Sequence, residues 1–185
     1  MSLVRTFIAL DLENVQVKAN IIEAQRQLLS LGIDAKPVEA ENLHFTVKFL
    51  GEIEESKVTK VADALSGIKF EPFKVTYKGM GAFPSLSHIN VIWIGVDDLS
   101  SKSMISIWES TESNLKKAGF PSDKRFDPHL TILRIKSGLH RLELSESIKK
   151  FQDITFGEDS ISKLKIKKSV LTPKGPIYTD LHIIG

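Results

Sequence analysis

The 185-residue chain contains no cysteine. That excludes disulfide bridges, thiolate nucleophiles and cysteine-ligated zinc together, and leaves oxygen and nitrogen as the donors for any bound ion. No apolar run approaches the roughly 18 to 20 residues that cross a bilayer, and no basic segment leads into a signal-type core. A cytoplasmic protein without membrane contact is therefore expected. Glycine-rich phosphate loops of the G-x-G-x-x-G and P-loop types are missing, as are low-complexity segments. A large excess of one charge is also missing. The net charge of +2 neither establishes nor forbids nucleic-acid binding, since gripping one terminal phosphate needs only a local basic rim.

What is present is an ordinary globular composition, 42% hydrophobic and 26% charged, on a chain long enough for one sizeable domain or two small lobes sharing a core. Within it, one pattern occurs twice. His44-Phe45-Thr46-Val47 and His129-Leu130-Thr131-Ile132 each set a histidine and a threonine two residues apart in an alternating apolar run. Strand periodicity puts residues i and i+2 on one side, so each His faces the same way as its Thr. With five His and nine Thr in the chain, random placement gives about 0.24 H-x-T triplets, so chance disfavours two. Their separation of 85 positions is close to half the chain, which points to a duplicated unit. Two such strands side by side would hold two imidazoles and two hydroxyls around one point. That point suits an oxyanion needing a proton donor, a proton acceptor and neutral hydrogen bonds, and we read it as a phosphate.

In chain order, Arg5 to Leu12 reads as a strand and Asn14 to Leu31 as an amphipathic helix stopped by Gly32. The first motif strand, Leu43 to Leu50, is expected to bury Phe45, Val47 and Phe49 and to turn His44, Thr46 and Lys48 the other way, with Gly51 ending it. A helix over Glu54 to Ile68 follows, then strands Phe73 to Lys78 and Asn90 to Val96 around a loop from Gly79 to His88. The second of these strands looks buried on both faces. A helix over Ser100 to Ala118 precedes the second motif, Phe126 to Ile135. A shorter helix, Leu139 to Lys150, leads to strands near Phe151 to Phe156, Ser162 to Leu171 and Ile177 to Ile184. Repeated strand-strand neighbours point to α+β rather than a doubly wound parallel sheet.

The stretches RTFIALDL (Arg5 to Leu12), LHFTVKFLGE (Leu43 to Glu52), FDPHLTILR (Phe126 to Arg134) and SVLTPKGPIYTDL (Ser169 to Leu181) resemble the 2H phosphoesterase superfamily. Within it, they are most similar to the RNA 2′,3′-cyclic phosphodiesterases historically called 2′-5′ RNA ligases. The resemblance implies a single domain over residues 1–185 built from two interleaved, pseudo-symmetric lobes. Each lobe is mainly antiparallel sheet with outer helices and carries one H-x-T motif, and the active-site groove lies between them. It implies hydrolysis of RNA 2′,3′-cyclic phosphate ends to 2′-phosphates, with tRNA fragments among the candidate RNAs. The residues themselves do not order the two imidazoles. The family positions make His129 the general base and His44 the general acid, with Thr46 and Thr131 donating to the non-bridging oxygens. Arg134 matches a family arginine that contacts the phosphate. Strict alternation puts it opposite His129, so a bulge or strand end has to re-aim it. The same place after His44 is Phe49, which makes the pocket lopsided. No cofactor, metal or protein partner is implied, and a monomer is expected. Two other activities fit the same fold: 2′-5′ ligation or cleavage, and opening of a small cyclic-phosphate metabolite. A module that binds RNA ends or nucleotides without turnover is the alternative from another class.

Other residues read more plainly. Phe7 and Tyr178 are the aromatic candidates for stacking a base at the groove rim. Asp127, two before His129, is the only carboxylate that keeps a metal reading in view. His88, His140 and His182 read as surface or loop histidines. Lys163, Lys165 and Lys167 read as a solvent-facing strand guarded against edge pairing, and Trp93 and Trp108 as core.

Overall fold

The computed structural model describes residues 2–69 and 71–185. Its elements are β1 (Leu3–Asp11), α1 (Val15–Leu29), β2 (Ala35–Pro37), β3 (His44–Glu54), α2 (Glu55–Leu65), β4 (Phe73–Ser85), β5 (His88–Val96), α3 (Asp98–Lys117), β6 (Leu130–Ile135), α4 (Arg141–Lys150), β7 (Thr155–Ile161), β8 (Leu164–Thr172) and β9 (Gly175–Ile184). The strands run in the order β7-β4-β5-β6-β3-β1-β8-β9, with β2 set against β6. Every pairing is antiparallel, so the α+β class expected from the element order holds. Along that order, four strands lie on each side of the β6–β3 seam. The β4–β7 group is consecutive in sequence, whereas the other group joins β1 and β3 to the late strands β8 and β9 through the β1–β8 pairing.

The two sides meet at one bridge, Phe45 against Leu130. Both side chains are fully buried, and Phe45 stacks on the buried Tyr77 ring at 5.7 Å. These are the central residues of the two H-x-T triplets. Helices cover the same core. α1 starts where the Asn14 side chain accepts a hydrogen bond from the Val17 N–H, and it buries Val17, Ile21, Ala24 and Leu28 at helical spacing. α3 starts at Asp97, whose carboxylate accepts from the Ser100 N–H.

Both motif strands are bulged at the same place. Along β3, Lys48 pairs with Ile8 but Thr46 pairs with Ala9, which leaves Val47 as an extra residue. Along β6, Leu133 pairs with Ile92 but Thr131 pairs with Trp93, which leaves Ile132 extra. An extra residue reverses the in–out alternation beyond it. Lys48 is consequently buried, at 3% exposure, and Phe49 stands out at 70%, the reverse of the alternation expected from sequence. The same reversal buries Leu133 and turns Arg134 outward. Gly51 does not end its strand. It takes φ +73° at a second register shift, a conformation open to glycine at little cost, and β3 continues to Glu54.

Four other expectations are corrected. The stretch from Gly79 to His88 is not a loop but the tip of a long hairpin, with Ser85 paired to His88. Phe151 to Phe156 is mostly the turn after α4, and the strand begins at Thr155. β8 is not an edge, because β9 covers it, and Lys167 is buried. Trp93 is half-buried rather than core. It lies across β4 where a Cβ on Gly81 would run into its ring, so only glycine leaves room for it.

The second bulge is held from beneath by α1. The buried Gln25 amide donates to the Ile132 carbonyl at 2.8 Å and to the Val38 carbonyl at 2.9 Å. Gln25→Met keeps the volume but removes both donors, and is expected to cost about 1–3 kcal/mol. Urea denaturation measures this; an unchanged midpoint would show that the amide does not secure the bulge.

Candidate active site

Because Phe45 and Leu130 both point into the core across one bridge, their neighbours emerge together on the opposite face. Extending the antiparallel register by one residue each way sets His44 against Thr131 and Thr46 against His129. Directly opposed Cβ atoms in such a ladder lie about 5 Å apart and diagonal ones about 7–8 Å. The two imidazoles are a diagonal pair. Two histidines and two threonines, far apart in the chain, thus surround one patch of sheet.

Both rings are oriented by the same device. His44 Nδ1 is 2.6 Å from the Asn42 carbonyl oxygen, and His129 Nδ1 is 2.8 Å from that of Asp127. A carbonyl only accepts, so Nδ1 carries the proton in each ring and Nε2 is left for chemistry. At His44, Nε2 is 3.0 Å from Thr46 Oγ1, so the hydroxyl donates to the neutral ring. Asp127 therefore acts through its backbone. Its carboxylate lies at the surface, 3.7 Å from Arg125 Nε.

The surroundings of the two rings differ. His44 is packed between Phe7 at 5.1 Å and Tyr178 at 5.4 Å. Burial is the largest influence and lowers its pKa. The Asn42 carbonyl and the Asp11 carboxylate oppose that, while Lys167 and Arg134 add to it. His129 meets the Phe83 ring edge-on at 4.8 Å, and Phe83 in turn packs on Trp93 at 5.3 Å. Tyr178 is also desolvated. Burial raises its pKa against the pull of Arg134, Arg5 and Lys167, so it is a neutral phenol at physiological pH. Phe7, at 3% exposure, is a wall for His44 and presents no face to a base. The exposed aromatic on this face is Phe49, 6.3 Å from Phe7.

Arg134 lies outward beyond its bulge and within electrostatic reach of His44 and Tyr178. Among the described residues it has no carboxylate partner. Beside His44, Lys165 and Lys167 are shared between Asp11 and Asp180 at 2.8–3.2 Å. This partly buried network fixes Asp11, which pairs with His44 across β1 and β3. His88 and His140 lie at the surface, away from the motifs, as expected. No group of three or more His, Asp or Glu side chains placed to hold a metal ion occurs among the described residues.

A family model for LigT-like phosphoesterases matches residues 11–93 and 98–178, and each matched segment contains one H-x-T. The chain belongs to the LigT-like phosphoesterase family. Among its relatives, the RNA 2′,3′-cyclic phosphodiesterase of Archaeoglobus fulgidus is 37% identical over 97% of this chain and 98% of its own. The protein of the same name from Aquifex aeolicus is 40% identical over 86% of each. The crystal structure of TT0787 from Thermus thermophilus superposes with a TM-score of 0.79 at 27% identity, covering 97% of this chain and 96% of that one.

Within this LigT-like site, several supporting residues carried no signal in the sequence. Gln25, Asp11 and Asp180 act from distant strands and a helix, and the Asn42 and Asp127 carbonyls are backbone groups. The repeated two-residue offset to an oriented carbonyl becomes visible only with the local fold.

The lowered pKa of His44 has a measurable consequence. In imidazole NMR titrations its midpoint should fall below the unperturbed 6.5, because burial favours the neutral ring. Saturating phosphate should raise it, since a bound anion stabilises the imidazolium. A midpoint at or above 6.5 in the free protein would contradict the burial argument.

Proposed function

We propose that this protein hydrolyses RNA 2′,3′-cyclic phosphate ends to 2′-phosphates by two-histidine acid–base chemistry without a metal. The observation that carries the reading is the buried Phe45–Leu130 bridge, which sends both H-x-T motifs out on one face, with Nδ1 of each ring tied to a backbone carbonyl. The relatives named RNA 2′,3′-cyclic phosphodiesterase, matched over 86% or more of their length, support it.

In this reading the cyclic phosphate sits over the seam. His129 Nε2 takes a proton from water as its oxygen attacks phosphorus. The bond from phosphorus to O3′ breaks, and His44 Nε2–H gives O3′ its proton. The product carries a 2′-phosphate and a free 3′-hydroxyl. Thr46 and Thr131 donate to the non-bridging oxygens, and Arg134 supplies the positive charge that meets the extra negative charge of the five-coordinate phosphorus. His44 has to be protonated to act as the donor, which its burial opposes. The substrate's own anionic phosphate offsets that penalty, so His44 acquires its proton as RNA binds. Phe49 offers the open ring face for the terminal base. tRNA fragments with cyclic ends are among the fitting RNAs, and the fold acts as a monomer in the cytoplasm.

Activity on an RNA oligonucleotide with a 2′,3′-cyclic end should persist in EDTA and yield the 2′-phosphate. His44→Ala and His129→Ala should each lower kcat by about 10²–10⁴-fold. Loss of activity on chelation, a 3′-phosphate product, or near-normal turnover in either variant would refute the scheme.

A further inference from the structure

On the core side of the sheet, the bulge at Val47 turns Lys48 inward. Its Nζ lies 2.6 Å from Glu112 Oε1 on α3 and 3.2 Å from Asp123 Oδ2. Glu112 Oε2 accepts the Asp123 N–H at 2.9 Å. The Lys48 side chain is 3% exposed, and a buried charge carries a large desolvation penalty that its partner only partly offsets. The fold does not demand a cation here. At the matching place in the second motif, four residues after His129, stands Leu133, also buried. We infer that the Lys48–Glu112 pair positions His129 by clamping Asp123.

The reason lies in how the two histidines are delivered. His44 is the first residue of β3 and is paired with Asp11 in the sheet. His129 precedes β6, at the end of residues 120–129, which carry no regular structure and are mostly exposed from 121 to 125. This segment touches the body at few places. The Phe120 N–H donates to the Leu115 carbonyl, Asp123 meets Lys48 and Glu112, Phe126 stacks on Trp108 at 6.1 Å, and the His129 ring itself meets Phe83 edge-on at 4.8 Å. The Asp123 clamp is the only one of these that is ionic. It spans from the strand holding the first motif to the segment that delivers the second. A shift of about 1 Å in a reacting group costs up to about 10²-fold in rate, so a loosely held segment would misplace His129 and leave His44 where it is.

The inference rests on His129 reacting with substrate as proposed above. The test is steady-state hydrolysis of a mononucleoside 2′,3′-cyclic phosphate together with imidazole NMR of both histidines. Glu112→Gln should lower kcat about 10–100-fold with KM within about twofold, and should shift or broaden the His129 signals while those of His44 stay in place. Asp123→Ala, at a half-exposed side chain whose removal leaves the Lys48–Glu112 pair in place, should act in the same direction and decides the matter where Glu112→Gln does not fold. Wild-type kcat, equal disturbance of both rings, or a kcat loss without a selective change at His129 would overturn the clamp. An inactive wild-type protein would instead refute the cyclic phosphodiesterase reading, and the spectra would still report on the segment.

Discussion

The site depends on a single non-polar contact at the middle of the sheet, the pairing of Phe45 with Leu130. Burying these two side chains draws the H-x-T strands together, and strand alternation then leaves the flanking His and Thr residues nowhere to go but the other face. The polar groups need not attract one another to assemble. The hydrophobic effect places them, and the carbonyls of Asn42 and Asp127 then set the ring orientation. Two imidazoles are thereby held ready without any ionic contact between them, which suits groups that have to change protonation state.

The paired bulges make the two halves functionally unequal. Each flips the residues that follow it. In one strand the flip buries a lysine and exposes Phe49; in the other it buries a leucine and aims Arg134 at the groove. One duplicated geometry therefore yields a guanidinium at one end of the site and an aromatic ring at the other. The face that meets an anion and the face that packs on helices are specified by the same extra residue.

Charges are wholly or partly buried on both faces of β3 and its neighbours, each set reaching an exposed aspartate. Asp11, Lys165, Lys167 and Asp180 interlock beside His44 on the groove face, and Lys48, Glu112 and Asp123 interlock beneath it. Apolar side chains would fill either space with less desolvation cost. What ion pairs add is direction, because a charge with short contacts to two elements fixes their relative position more narrowly than side chains packed without directional bonds.

The sequence alone determined the α+β class, the helices at α1 and α3, and the two H-x-T triplets, since these follow from the order and spacing of residues along the chain, whereas the antiparallel pairing was implied only by the family resemblance. It also required a bulge or a strand end after His129 if Arg134 were to reach the same face. It misassigned Phe49, Lys48, Trp93 and Lys167, because side-chain direction beyond a bulge and the covering of a strand by its neighbour are set by partners far along the chain or on another element. Only the tertiary structure decided that Phe45 meets Leu130, that Phe7 is a wall while Phe49 is exposed, and that Asp123 is tied to Lys48. Local periodicity carries the face of a strand only until an extra residue intervenes; after that, the register of the whole sheet decides which side chains share a site.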